Sequence, residues 1–184
     1  MTDGSKAAFS DTGETGEAGE RRDGEPPQGY ERVPEGIGFG DRLQPLYRLL
    51  ANGTVSFGFF VANQHLNMMG ICHGGALMTL ADIAAAGSLY HARNSSSPAP
   101  TINLSFDFLN PARRGRWICS RADLVEPKGR FGFCSGVLLD GDQTVLRYSG
   151  VYYHGKAASE EEKGVDEAAV ERTQRLERLM GKSG

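Results

Sequence analysis

The sequence is poor in several things that would announce a function. Cys72, Cys119 and Cys134 are three cysteines, widely spaced, too few for a disulfide framework. That pattern implies reduced thiols and a cytoplasmic address. The four histidines, at positions 65, 73, 91 and 154, lack any compact metal-ligand spacing, so no metal site is expected. The glycines of Gly36-Ile37-Gly38-Phe39-Gly40 have no strand before them and no βαβ unit after them, which excludes a dinucleotide loop. The terminal Gly181-Lys182-Ser183-Gly184 lacks the upstream glycine of a phosphate loop and room for the helix that must follow. No internal repeat is visible. No apolar run is long and uninterrupted enough to span a bilayer, and the first residues match neither a signal nor a transit peptide. No cofactor is implied.

Charge is small overall but unevenly distributed. The net charge is −3, while residues 1–30 carry seven acidic and three basic side chains, six glycines and almost nothing apolar. Such a segment cannot bury enough surface to offset its ordering entropy, so it reads as a disordered extension. The last thirty residues are −1, which leaves residues 31–154 mildly basic at +2. This is too weak for a nucleic-acid footprint but leaves room for a basic rim around a small anion. The organisation expected is an extension over 1–30, one domain over 31–155 and a charged tail over 156–184. In that tail Val165, Ala169, Leu176, Leu179 and Met180 fall at roughly helical spacing.

Within the domain the patterning is mostly that of strands. Residues 31–40 read as a flexible lead-in. Leu43, Leu46, Tyr47 and Leu50 fall at i, i+3, i+4 and i+7, which predicts a short helix from Asp41 to Leu50. Thr54 to Ala62 alternates with Val55, Phe57, Phe59 and Val61 on one face and predicts a strand entered by an Asn52-Gly53 turn. Residues 101–109 alternate as cleanly. Segments 117–125, 130–139 and 143–154, separated by turn residues, predict an antiparallel meander.

Between these strands lies the stretch around which the chain is organised, Asn67 to Arg93. After His73-Gly74-Gly75 comes a segment, Ala76 to Tyr90, that is apolar or small except for Thr79, Asp82 and Ser88. It predicts a helix buried around its circumference, leaving through Ser95-Ser96-Ser97-Pro98. Asp82 is its only charge, and a carboxylate in apolar surroundings is costly unless paired, protonated or useful. Gly74 and Gly75 leave unhindered N–H groups at the positive end of the helix dipole, where an oxyanion is favoured. One element thus offers both an acid/base and an electrophilic hole.

One strand, one long helix and then four antiparallel strands describe an α+β curved sheet wrapped around a single helix. Asn67, Gly70, His73-Gly74-Gly75, Leu80-Ala81-Asp82 and the Thr101–Ala112 run make residues 40–154 resemble the hotdog-fold acyl-CoA thioesterases, in the phenylacetyl-CoA thioesterase-like branch. The resemblance implies hydrolysis of an acyl-CoA to the free acid and coenzyme A. It also implies a homodimer or dimer of dimers, with the long helices side by side and antiparallel so that each site is shared. On that reading the Gly74 N–H polarises the thioester carbonyl, Asp82 attacks it or deprotonates water, and Asn67 holds water or carbonyl. Thr101 matches a position where relatives carry a Ser or Thr that orients water or the acid.

Each residue also has a plainer reading. Asp82 could bond to Thr79, Asn67 could brace its loop, and His73 shapes the turn and binds substrate rather than acting as a base. Adjacent side chains diverge, so Cys72 beside His73 makes a poor nucleophilic pair. The run Ala84-Ala85-Ala86-Gly87 permits close approach of a second helix or merely fits under its own sheet. Arg113, Arg114, Arg116, Lys128 and Arg130 flank strand-connecting turns and suit either coenzyme A phosphates or plain surface. Phe57, Phe59, Met68, Met69 and Tyr90 suit an acyl pocket or the core. Two rival functions share this fold: a domain that binds acyl-CoA without turnover, and a dehydratase or hydratase of 3-hydroxyacyl thioesters, in which a His would work opposite the acid.

Overall fold

A computed structural model describes residues 24–51, 53–93, 99–154 and 167–181, without the side chains of 167–170 and 172. Most of the predicted N-terminal extension, the helix exit at 94–98 and the tail from 155 to 166 lie outside the described residues. Seven strands form one sheet: β1 (Glu31–Arg32), β2 (Leu46–Ala51), β3 (Thr54–Phe60), β4 (Thr101–Phe108), β5 (Trp117–Lys128), β6 (Phe131–Asp140) and β7 (Gln143–Tyr153). Their order is β1-β2-β3-β5-β6-β7-β4, and every pairing is antiparallel. Helix α1 (Gly74–Arg93) lies across one face and α2 (Glu167–Met180) follows the sheet. This is the hotdog fold.

The alternation in the sequence sets the faces. Val55, Phe57 and Phe59 of β3 and Leu146, Tyr148 and Tyr152 of β7 point into the core beneath α1 and are almost completely buried. The meander turns at Gly129 and Gly141, both with φ of +60°, a conformation that costs a glycine little.

Two readings of the first part of the domain are corrected. Residues 31–40 are not a loose lead-in: β1 pairs with β2 through Glu31 and Arg48, and Val33 is fully buried. Nor does a helix run from Asp41 to Leu50. The Asp41 carboxylate instead accepts the Gly36 and Ile37 N–H groups beside a short 3-10 turn at Gly38–Leu43, and the chain then enters β2. Leu46 to Ala51 pair residue by residue with Phe59 to Thr54. The hairpin at Gly53, with φ of +75°, supplies hydrogen bonds and a half-buried face that outweigh a short helical repeat. Residues 24–30 also belong to the fold. Tyr30 packs edge-on against Trp117 at 5.0 Å and shares a hydrogen bond of 2.6 Å with Ser56.

Helix α1 packs on the sheet through a face that mixes leucines with small residues, and it approaches most closely where the small ones fall. Leu77, Leu80, Ala81, Ala84, Ala85 and Leu89 are buried, and a Cβ on Gly87 would meet the Phe57 ring at 2.8 Å. The alanine-glycine run therefore fits the helix under its own sheet. The helix is not buried all round in one chain: Gly75, Thr79, Asp82 and Ala86 form a half-buried stripe, with Met78 exposed beside it.

The C-terminal helix docks on its own domain. Met180 is 1% exposed and sits against Gly87 of α1. The Arg48 guanidinium of β2 donates to the Arg178 and Leu179 carbonyls, satisfying acceptors that a helix C-terminus leaves open. Met180→Ala is expected to cost about 2–5 kcal/mol in urea unfolding, the range for emptying a buried methionine. An unchanged midpoint would make α2 a surface appendage.

Candidate active site

The loop that enters α1 is braced by its own polar groups. His65 is buried, packs edge-on against Phe59 at 4.7 Å and accepts the Ala62 N–H through Nδ1 at 3.0 Å. Burial pushes the His65 pKa down, keeping it neutral. The Asn67 Oδ1 accepts the N–H groups of Met69 at 2.9 Å and Ile71 at 3.4 Å. Asn67 thus braces the loop, which turns at Gly70 with φ of +73°, while its amide nitrogen has no acceptor among the described residues.

The start of α1 leaves one donor over. Of its first four N–H groups, that of Gly75 goes to His73 Nδ1 at 2.8 Å. Those of Ala76 and Leu77 go to the His73 carbonyl at 2.9 and 3.3 Å. The Gly74 N–H has no acceptor among the described residues. His73 therefore caps the helix, and a ring whose Nδ1 accepts a backbone N–H is committed to that task. The Phe108 ring of β4 lies 3.2 Å from where a Gly74 Cβ would sit, so a side chain here would press on that half-exposed ring.

Two turns further on, Asp82 is held from the sheet. Thr101 Oγ1 donates to Asp82 Oδ1 at 2.7 Å and Tyr152 Oη donates to the same oxygen at 3.1 Å. The bond to Thr79 does not form, because the Thr79 hydroxyl is spent on the Gly75 carbonyl at 2.8 Å. The sequence pointed to Thr101 and missed Tyr152. The register of the last strand carries the signal, since Thr101 and Tyr152 are cross-strand partners.

The five basic residues divide. Cys72 N–H donates to the Ala112 carbonyl at 2.8 Å and Ile71 bridges to Arg113, so the turn with exposed Arg113 and Arg114 lies against the His73 loop. Arg116 is drawn into an ion pair with Asp140 at 2.8 Å. Lys128 and Arg130 flank the far hairpin, on the order of 35 Å away along the twelve residues of β5. Phe57, Phe59 and Tyr90 are core residues, whereas Met68 and Met69 are exposed at 102% and 72%.

Comparison with known proteins fits this geometry. The family model described as Thioesterase superfamily matches residues 69–146. The protein named Putative esterase PA0474 of Pseudomonas aeruginosa is 31% identical over 129 residues, 66% of this chain and 96% of its own length. The chain belongs to the thioesterase superfamily. Among solved structures, a mutant of the phenylacetic acid degradation protein PaaI from Thermus thermophilus is 26% identical with a TM-score of 0.54, over 60% of this chain and 93% of that one. Zebra fish thioesterase superfamily member 2, at 24% identity and TM-score 0.58 over 64% and 87%, shares the fold.

By class this thioesterase is a thioester hydrolase, and its reaction needs an electrophilic hole and a group that attacks or activates water. A free backbone N–H and a held carboxylate are suited to those two parts. A cysteine nucleophile is not, since burial pushes the Cys72 thiol up to about 11 and the reactive species is the thiolate. Alkylation of Cys72, followed by mass spectrometry, should rise about tenfold per pH unit up to pH 10, and Cys72→Ala should keep kcat within about twofold. Rapid labelling at pH 7 together with loss of turnover would contradict this.

Proposed function

We propose that this thioesterase hydrolyses acyl-CoA thioesters to the free carboxylic acid and coenzyme A, without a cofactor, as a homodimer or dimer of dimers whose sites lie between subunits. The observation that carries the reading is the placement of the two reactive groups. The Gly74 N–H and Asp82 lie on the same helix eight residues apart, about 12 Å at 1.5 Å per residue. One carbonyl cannot touch both. A second copy of α1 running antiparallel against the half-buried stripe of Gly75, Thr79, Asp82 and Ala86 brings one chain's hole to the other chain's acid. The small side chains of that stripe suit close approach.

In such a site the Gly74 N–H receives the developing oxyanion. Asp82 either adds to the carbonyl carbon, releasing the coenzyme A thiolate and forming an anhydride that water then cleaves to the free acid and the regenerated carboxylate, or takes a proton from the water that adds. Asn67 donates through its amide nitrogen to that water or to the carbonyl. Arg113 and Arg114, beside the hole, suit the phosphates of coenzyme A. The commitment of His73 Nδ1 to the Gly75 N–H disfavours the hydratase alternative, which needs that ring as a base. The three cysteines, all present as thiols, suit a reducing cytoplasmic compartment. The decisive experiment is thiol release from a panel of acyl-CoAs by the purified protein. Binding without release would favour a sensing domain.

If Asp82 acts as proposed, Asp82→Asn keeps the fold and loses about 10²-fold or more of kcat. Gly74→Pro removes the other part at the first helical position, where proline is tolerated by the backbone. Mixing the two inactive variants should regain activity, approaching half of wild type in the heterodimer, whose second site carries both lesions. Failure to recover after verified subunit exchange would place each site within one chain.

For the basic turn, Arg113→Ala with Arg114→Ala should raise KM for acyl-CoA more than it lowers kcat, because contacts far from the thioester bind substrate and transition state alike. Arg116→Ala, already tied to Asp140, should change KM less. Equal KM values for all variants would make the turn plain surface.

A further inference from the structure

Tyr152 is the buried polar group that the sequence reading did not use. It is 0% exposed, and its hydroxyl reaches Asp82 Oδ1 at 3.1 Å beside the Thr101 hydroxyl at 2.7 Å. Both donors come from one rung of the sheet, where Thr101 of β4 faces Tyr152 of β7, and the register shifts between Thr101 and Asn103. A bulge there re-aims a side chain locally. Burial and the neighbouring Asp82 charge push the Tyr152 phenol well above its ordinary range, so it stays protonated and can only give its proton to an acceptor. A hydroxyl has one proton. Thr101 and Tyr152 each commit theirs to the same carboxylate oxygen, and Oδ2 has no donor among the described residues.

We propose that Tyr152 is a positioning residue of the hydrolase, which with Thr101 fixes the Asp82 carboxylate through Oδ1 and leaves Oδ2 as the oxygen that meets the substrate or the attacking water. Two neutral hydroxyls serve this end where a cation would not. They orient the carboxylate and stop its rotation while leaving its charge uncompensated for the reaction. The proposal rests on Asp82 being nucleophile or base.

The test compares Tyr152→Phe in the wild-type and Asp82→Asn backgrounds of the full chain, with thiol release from an acyl-CoA the wild type hydrolyses. The expected result is a fall in kcat of about tenfold or more with KM within about twofold, the loss expected for one hydrogen bond to a charged group. In the Asp82→Asn background the same change should cost nothing further, because Tyr152 acts only through that carboxylate. An unchanged kcat, or an equal loss in both backgrounds, overturns the proposal by making Tyr152 a packing residue. If Asp82→Asn itself leaves kcat intact, the reading of the acid and this proposal fall together; if it disables the enzyme and Tyr152→Phe does not, only this proposal falls. Should the phenylalanine variant not fold by circular dichroism, 3-fluorotyrosine introduced at position 152 keeps volume and hydroxyl but changes donor strength. kcat must then shift at constant KM, and an unshifted kcat overturns the proposal.

Discussion

The closeness of α1 to its sheet is the constraint on which the site depends. Gly87 against Phe57, with Ala81, Ala84 and Ala85 buried on the same face, lets the helix backbone lie nearer the strands than leucines would permit. At that distance a threonine of β4 and a tyrosine of β7 span the gap to a helix carboxylate. A helix standing further off would leave Asp82 without donors and Tyr152 with an unsatisfied buried hydroxyl, a double cost. Packing and chemistry are therefore set by the same small residues.

The two ends of the reactive constellation are prepared by subtraction. At the helix start, His73 takes three of the first four donors by its ring and its carbonyl, and the Gly74 N–H is left without an acceptor among the described residues, where the dipole is most positive. At Asp82 two hydroxyls occupy one oxygen and leave the other. Each end is fixed by neutral groups, so among the described residues neither the Gly74 N–H nor the Asp82 carboxylate is tied into a salt bridge. The exposed ion pairs among the described residues, such as Arg147 with Asp107, lie elsewhere and contribute little.

Much of this was legible in the sequence because it is local. The alternation of β3 to β7, the glycines that open α1 and the isolation of Asp82 in an apolar segment depend on neighbours a few residues away. What was not legible depends on distant partners. Leu46 to Leu50 carries a helical repeat, yet the hairpin with β3 decides its conformation. Tyr30 sits at the end of a polar, glycine-rich stretch, and only Trp117 shows why it is ordered. The circumference of α1 looks uniformly buried in composition, but a single chain covers only part of it, because small residues such as Gly75 and Ala86 are equally at home under a sheet and on an uncovered stripe.

That uncovered stripe has a definite side. The tail helix α2 brings Met180 to Gly87 and is held by Arg48 of β2, so it closes the flank of α1 over β2 and β3. Asp82 turns the other way, towards β7 and β4, which end the sheet at its opposite edge. There Ile102, Phe108 and Leu109 remain about half exposed. Among the described residues, helix α2 thus covers one flank of the central helix and the flank that carries Asp82 stays half-buried. A second subunit seated there, as proposed, would add apolar burial beside Asp82. In the dimer proposed above, one association would both cover that edge and bring the Gly74 N–H to an acid it cannot reach along its own helix.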